Sequence, residues 1–451
     1  MKLASTLDAL ADGTLPASFK GLRSRVSVEW VEDALDQHGV ATVRNRKLPV
    51  ESVVWLVIGI ALYRDRSMVE VAHRLDLVLP EGDGTPGQVS KGAIPQARER
   101  VGEEPLEALF LTTAKHWAWE SADQSRWHGL MVLGADGSTL RVPDSAENRS
   151  AFQLPPSGRR TAGYPQVHVA VLMALRSHLW LDFDFADCRT GEGTIAWPLI
   201  QRAPDQSVTM IDRYYIDYAQ LYGLHTSGQN RHWVVRAKKN LKWRVVKRLG
   251  RGDDLVEITF PPPVRKEHPD WPETFLARAV RYRRKGFRTR TLLTSLPDPK
   301  AYPAAEIAEL YHERWELELG YDELKTHTLE QEESIRSETP DQVRQELWGM
   351  AIAYNLVRRE MDLLARERNL PPRRISFRTS LMLIRDVFMW AAIASPGSLP
   401  KMIKKLRVDM RQMILPPRRS ERRYERHVKI KMSNYARNDK HPVAETKNAL
   451  I

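Results

Sequence analysis

At residue 130 the spacing of apolar side chains changes from roughly 3.6 to roughly 2, and that change limits the folds open to the chain. Segments 130–142, 166–175, 179–185, 208–211 and 232–237 alternate or run as β-branched stretches, which predicts strands. Helical spacing at 194–203 and 216–225 interrupts them. Three consecutive strands, then a helix and further strands, predict a mixed sheet of α/β or RNase H-like type. Periodicity does not choose between the two.

Both flanks read as helix. Residues 20–125 hold an apolar stretch at 48–63, then Ser67 three residues before Glu70 as a capping pair, a Gly/Pro-rich loop at 80–87, and a polar, basic segment at 89–100. The two short helices so defined fit a helix-turn-helix reader or an ordinary helical subdomain equally well. Residues 240–296 carry short alternating runs at 255–260, 275–282 and 290–296, which predicts a small β-rich insertion. Long helices are expected at 303–327, 340–368 and 377–394. The expected domains are 1–125 (helical, DNA-binding), 126–330 (catalytic, with the insertion), 331–400 (helical) and 401–451 (basic tail).

Charge narrows the partners. The chain of 451 residues has 69 Lys and Arg against 57 Asp and Glu, a net +12. Residues 401–451 alone hold 15 basic and 5 acidic side chains, or +10. A cationic segment of that density is suited to a polyanion, since neutralising each phosphate releases counterions. Apolar runs such as 53–62 are too short to span a bilayer, so no membrane is expected. The N-terminus lacks a continuous apolar stretch and reads as no signal peptide. The lone Cys188 can form no internal disulfide, which fits a reducing compartment.

Chemistry concentrates in 303–327. At about 100° per residue, Tyr311, Arg314, Trp315, Glu318 and Lys325 fall within about 100° of one another. Leu310, Leu317, Tyr321 and Leu324 form an adjoining apolar stripe for docking on a sheet. Upstream, Asp136 stands inside a hydrophobic strand before Gly137, and Asp212 closes another. A carboxylate inside a strand is disfavoured and, if buried, costs several kcal/mol unless paired or metal-bound. Two acids at strand ends plus one on a helix make an all-oxygen set suited to Mg²⁺, with Mn²⁺ as substitute. Two such ions could serve an in-line phosphoryl displacement.

The spacing Tyr311-x2-Arg314-x3-Glu318-x6-Lys325 resembles the signature of IS4-family DDE transposases. Asp136-Gly137-Ser138 is similar to the segment with their first aspartate, and Asp212-Arg213-Tyr214-Tyr215 to the box with their second, Tyr214 standing where glycine is common. The resemblance covers 130–330, with 44–100 similar to the family's helical N-terminal region. It implies an RNase H-like catalytic core and Asp136, Asp212 and Glu318 as catalytic metal ligands. Tyr311, Arg314, Lys325, Trp315 and Arg213 are the expected DNA contacts. The activity implied is cut-and-paste transposition by a homodimer on duplex DNA with terminal inverted repeats, and on target DNA, in the bacterial cytoplasm at the nucleoid. An RNase H-like nuclease or resolvase, or an inactive or domesticated DNA-binding protein, is the alternative.

Lesser signals are weighed as follows. His168, His178 and His225 read as structural. Glu192 sits in a polar turn that could approach the carboxylates. Trp233 reads as core, and Trp243, amid basic residues, as core or as a base-stacking side chain. In the tail, Arg418, Arg419, Arg422 and Arg423 are the expected phosphate contacts.

Overall fold

The computed structural model describes residues 26–416 except 41–46, 81–86, 123–124, 157–162, 285–287, 331–333, 394–397, 399–400, 402–403, 407 and 410–413. The tail arginines therefore lie outside the described residues. Five helices come first: α1 (Val28–Gln37), α2 (Val50–Leu62), α3 (Met68–Arg74), α4 (Ala93–Val101) and α5 (Glu104–Ala122). The core follows as β1 (Met131–Arg141), α6 (Ala146–Phe152), β2 (Gln166–Ala174), β3 (Trp180–Asp187), α7 (Glu192–Gln201), β4 (Ser207–Ile211), α8 (Tyr218–Thr226) and β5 (Arg231–Arg236). Next are β6 (Arg244–Gly250), β7 (Asp253–Thr259), α9 (Pro262–Glu267), β8 (Thr274–Tyr282) and β9 (Arg290–Thr294). The last helices among the described residues are α10 (Ala304–His312), α11 (Trp315–Asp322), α12 (Pro340–Glu367) and α13 (Phe377–Ile393).

The described strands form one sheet in the order β3-β2-β1-β4-β5-β9-β8-β7-β6. β1, β2 and β3 pair antiparallel, while β4 and β5 join β1 in parallel. A three-stranded meander flanked by parallel strands is the RNase H-like arrangement, which settles what periodicity left open. The insertion adds to this sheet, because β9 pairs with β5 and β8, β7 and β6 follow outward. β6 escaped sequence reading because its residues are exposed and basic rather than alternating.

Alternation along the strands sorts side chains onto two faces. Val132, Val169, Val171, Val208, Met210 and Val234 join one buried cluster. Their neighbours Leu133, Ala170, Leu172, Ile211, Trp233 and Val235 join another, beneath Ile195, Leu199, Leu221 and Leu224 of α7 and α8. Both faces are covered, which is why the strands read as nearly continuous apolar runs. Trp233 is core as expected, and Trp243 is partly buried against the α7 and α8 side.

The first cluster runs from Val26 to Leu406 and includes most of α2, a helix apolar on every side. Residues before 125, between 126 and 330, and after 331 all contribute to this core, and contacts divide after Leu415. Ser67 caps α3 by accepting from the Glu70 amide at 3.2 Å. In α4, Arg98 is fully buried and donates to Gln345 Oε1, Ser337 Oγ and the Gln342 carbonyl. That arginine fastens the helix to α12, so the basic character of 89–100 is partly structural.

Candidate active site

Register fixes the first three site residues. Ala135 pairs with Ile211, and Ile211 with Val235, so Asp136, Asp212 and Arg236 each follow the last paired residue of adjacent parallel strands. By strand parity all three belong to the face of Val132, Met210 and Val234. Strands stand about 4.8 Å apart, which puts two acids and a base in one row at the sheet's end. Arg236 was not singled out from sequence, although its place at the end of an expected strand carried the signal.

A helical segment closes over that row. The expected uniform helix at 303–327 is instead three pieces: α10, a tight step at Glu313–Arg314 with amides bonded three residues back, and α11 running into a π-helical turn at Glu323–Thr328. The π turn changes the angular step, so 100° per residue does not locate Lys325. Lys325 is half-buried on that turn. The apolar stripe holds: Leu310, Leu317, Tyr321 and Leu324 are buried. Leu317 approaches β1 at Gly134, where a Cβ would lie 2.9 Å from Leu317 Cδ1. The Tyr321 hydroxyl donates to the Asp136 carbonyl at 2.8 Å, tying α11 to the catalytic strand.

Arg314 connects the acids. Its guanidinium lies 3.9 Å from Asp136 Oδ2 and 3.2 Å from Glu318 Oε1. Burial pushes the Asp136 carboxyl up to about 6, opposed by the Gly137 amide at 3.0 Å and by Arg314 and reinforced by Glu192 and Asp212. Asp212 accepts from the Tyr214 amide at 2.9 Å, the cap of a 3-10 turn at Arg213–Tyr215. Tyr214 at the position where glycine is common is 63% exposed, so that turn accommodates its ring. Glu318 is exposed and held by Arg314.

Glu192 does reach the site. A Cβ at Gly137 would fall 2.4 Å from Glu192 Cγ, so glycine after the first aspartate makes room for this fourth carboxylate. Tyr215 donates its hydroxyl to Glu192. His168 bonds the Thr190 carbonyl at 2.9 Å and His225 the Arg231 carbonyl at 3.1 Å, both structural as expected.

Beside the row is a cavity of about 280 Å³ lined by Arg236, Tyr282, Arg284, Arg288, Arg290, Tyr311, His312, Arg314 and Trp315. The β8–β9 hairpin of the insertion supplies four of these residues. Tyr311, expected as a phosphate contact, is buried with its hydroxyl donating to the Ile211 carbonyl at 3.3 Å, and burial pushes that hydroxyl up to about 12. Trp315 is 57% exposed on the cavity wall. Arg213 is exposed and close enough to Arg236 to disfavour its charge, with burial and Arg290 the larger causes. Sequence reasoning missed Arg236 in β5 and Arg288 and Arg290 around the start of β9, because the local sequence does not mark that these two strands are neighbours in the sheet.

Comparison with known proteins agrees with this geometry. The model for the insertion element 4 transposase N-terminal region matches residues 16–111, and that for the transposase DDE domain matches 127–356. The chain is similar to Transposase InsG for insertion sequence element IS4 of Escherichia coli (strain K12), 35% identical over 408 residues, covering 90% of this chain and 91% of that protein. It is also similar to Putative transposase InsZ of the same organism, 32% identical over 282 residues, with 59% and 91% covered. A weaker likeness, with TM-score 0.41 and 12% identity over 90% of this chain and 87% of the other, is to a piggyBac transposase synaptic complex with hairpin DNA. A matching catalytic model across half the chain and a relative aligned along nearly all of it make this protein a DDE transposase of the IS4 family.

Proposed function

We propose that Asp136, Asp212 and Glu318 form the site that cuts the ends of the element and joins them to target DNA, using Mg²⁺ or Mn²⁺, as two ions. The observation that carries this reading is the row of Asp136 and Asp212 on neighbouring parallel strands, with Arg314 bridging from Asp136 to Glu318. The donor set fits a hard cation: all ligands are carboxylate oxygens, and burial leaves Asp136 short of counter-charge. Among the described residues no three His, Cys, Asp or Glu side chains stand close enough to hold an ion as they are. Glu318, exposed and bound to Arg314, is the ligand that would change partner. When bound, the metals lower the pKa of a water or 3′-hydroxyl and stabilise the leaving oxygen.

The remaining groups act on the DNA. Arg314 and Arg236 hold phosphate oxygens at the cut, where charge builds during displacement. Lys325 and Arg213 add to that field. Tyr311 braces the wall, and Trp315 offers an aromatic face to a nucleotide. Arg418, Arg419, Arg422 and Arg423 hold duplex phosphates further out. The working unit is a homodimer that pairs two terminal inverted repeats in a synaptic complex, at the nucleoid. No helix among the described residues is long and apolar enough to cross a membrane.

Cleavage and strand-transfer assays on end-containing DNA, with Mg²⁺ supplied or chelated, test the reading. Asp136→Asn, Asp212→Asn and Glu318→Gln should each abolish both steps and leave DNA binding largely intact. Full activity in any one removes that residue from the metal site, and cleavage without strand transfer by the intact protein would make it a nuclease.

A further inference from the structure

The outermost strand of the sheet has features that the cutting site does not explain. Every residue of β6 except Leu249 is exposed, and the run 238–251 holds seven Lys and Arg with no acid. Arg244 pairs with Glu257 at 2.7 Å. Lys247, Arg248 and Arg251 are exposed and have no ion-pair partner among the described residues. Val245 and Val246 are each 47% exposed beside them. Unneutralised like charges gathered on one strand repel each other, so their placement calls for a polyanion or for another purpose.

Position relative to the cut favours the polyanion. Successive pairings carry the row of Arg236 through Leu292, Val280 and Asp253 to Gly250, at the end of β6. The turn holding Arg251 is therefore at the same end of the sheet as Asp136 and Asp212. Lys247 is in the row of Leu255, Arg278, Thr294 and Val234, so by parity it shares the face of the catalytic carboxylates, whereas Arg248, paired with Asp254 in the row of Ala279, belongs to the opposite face. Five strand spacings of about 4.8 Å separate β4 from β6, an upper limit of roughly 24 Å. That equals about seven base pairs at 3.4 Å each.

We propose that Lys247 and Arg251 form a second DNA-backbone contact, gripping the element's own end about seven base pairs inside the cut. The inference rests on the function proposed above and adds a fixed register to it. Both sites belong to one hydrogen-bonded sheet, so the distance between them is set by the fold. The element side is assigned because that duplex has to stay held after cleavage for its 3′-hydroxyl to be transferred. The competing account is that lysine and arginine on an edge strand only keep it from pairing with other chains. That account reaches only the strand itself, whereas Arg251 lies in the turn beyond β6, where there is no strand edge to protect.

The test is Lys247→Glu/Arg251→Glu in the full chain, measured by end binding across a salt series. Three DNAs are compared: a reference end, one with element-side duplex trimmed to four base pairs, and one with the flank trimmed instead. On the reference end, the variant should bind at least tenfold more weakly and lose about two from the salt slope, near 0.9 per phosphate. The intact protein and the variant should bind the element-trimmed DNA alike. Equal binding to the reference end overturns the contact, and so does an equal deficit on all three DNAs. A deficit that disappears only when the flank is trimmed overturns the element-side assignment. Single Asp212→Asn on the same DNAs should stop cleavage at unchanged salt slope; if it cleaves normally while β6 behaves as stated, the cutting site fails and the contact stands.

Discussion

Helix α11 has a cluster of charged residues on each side, and the two are built from the same side-chain types with opposite finish. In front, Asp136, Arg314 and Glu318 are partly exposed and loosely paired, at 3.9 and 3.2 Å, and Asp136 is held toward its protonated form. Behind, Glu316, Glu323, His178, Arg358 and Tyr354 are packed together at the contact with α12. His178 Nδ1 faces Arg358 and Glu323, and its Nε2 lies 2.9 Å from Glu316 Oε2. Glu323 accepts from Arg358 and from the Tyr354 hydroxyl at 3.1 Å, and despite its burial Arg358 and His178 hold its carboxyl down at about 2. A buried, charge-paired cluster fixes the helix, whereas an under-neutralised one is ready for a cation and a phosphate. The difference separates support from chemistry more sharply than residue type does.

Breaking each cluster should have opposite consequences. The largest effect belongs to the front: Asp212→Asn should lower cleavage by at least about 10³-fold, with little change in melting temperature, as read by end-cleavage kinetics and calorimetry. A matching loss of folding would move Asp212 to the supporting set. Next is the rear: Arg358→Met leaves Glu323 buried without its cation and should destabilise by about 3–5 kcal/mol in denaturant unfolding. An unchanged midpoint would show that Arg358 is not what neutralises Glu323.

Protonation sharpens the contrast in the metal-free protein. Asp136 has a folded value raised to about 6, so its burden on stability is absent below the ordinary carboxylate range and grows as pH rises through 6. Asp136→Asn should therefore stabilise by about 1–3 kcal/mol at pH 7 and not at pH 4. Glu323 has the reverse sign: its contribution is present above about 4.5 and fades as pH falls toward 2. Glu323→Gln should destabilise at pH 7, with the difference shrinking in acid. Parallel pH curves for the two variants would refute the distinction. The smallest effect is expected from Trp315→Ala, a several-fold weaker end binding with stability unchanged, because the ring is mostly exposed.

How much of this was legible varies by element. β1 to β5 were readable because strands buried on both faces must be apolar along their length, and α12 because a long helix keeps its period. Asp136 stood out as an acid inside such a run and Asp212 as one closing another. β6 and Arg236 did not: an exposed edge strand leaves no apolar alternation, and an arginine at a strand end has meaning only beside its neighbours. The break in the motif helix at Arg314 and the π turn at Glu323 were equally hidden, since both follow from how α11 is seated on β1 and α12.

By itself the amino-acid sequence determined the family and marked the three acids as candidates, because motifs depend on residue types at short intervals. Tertiary structure alone decided that Asp136, Asp212 and Arg236 share one row, that Arg314 stands between two acids, and that the β8–β9 hairpin walls the site. Those facts depend on strand register and on contacts between residues up to a hundred or more apart, for which one chain read in order carries no measure of distance.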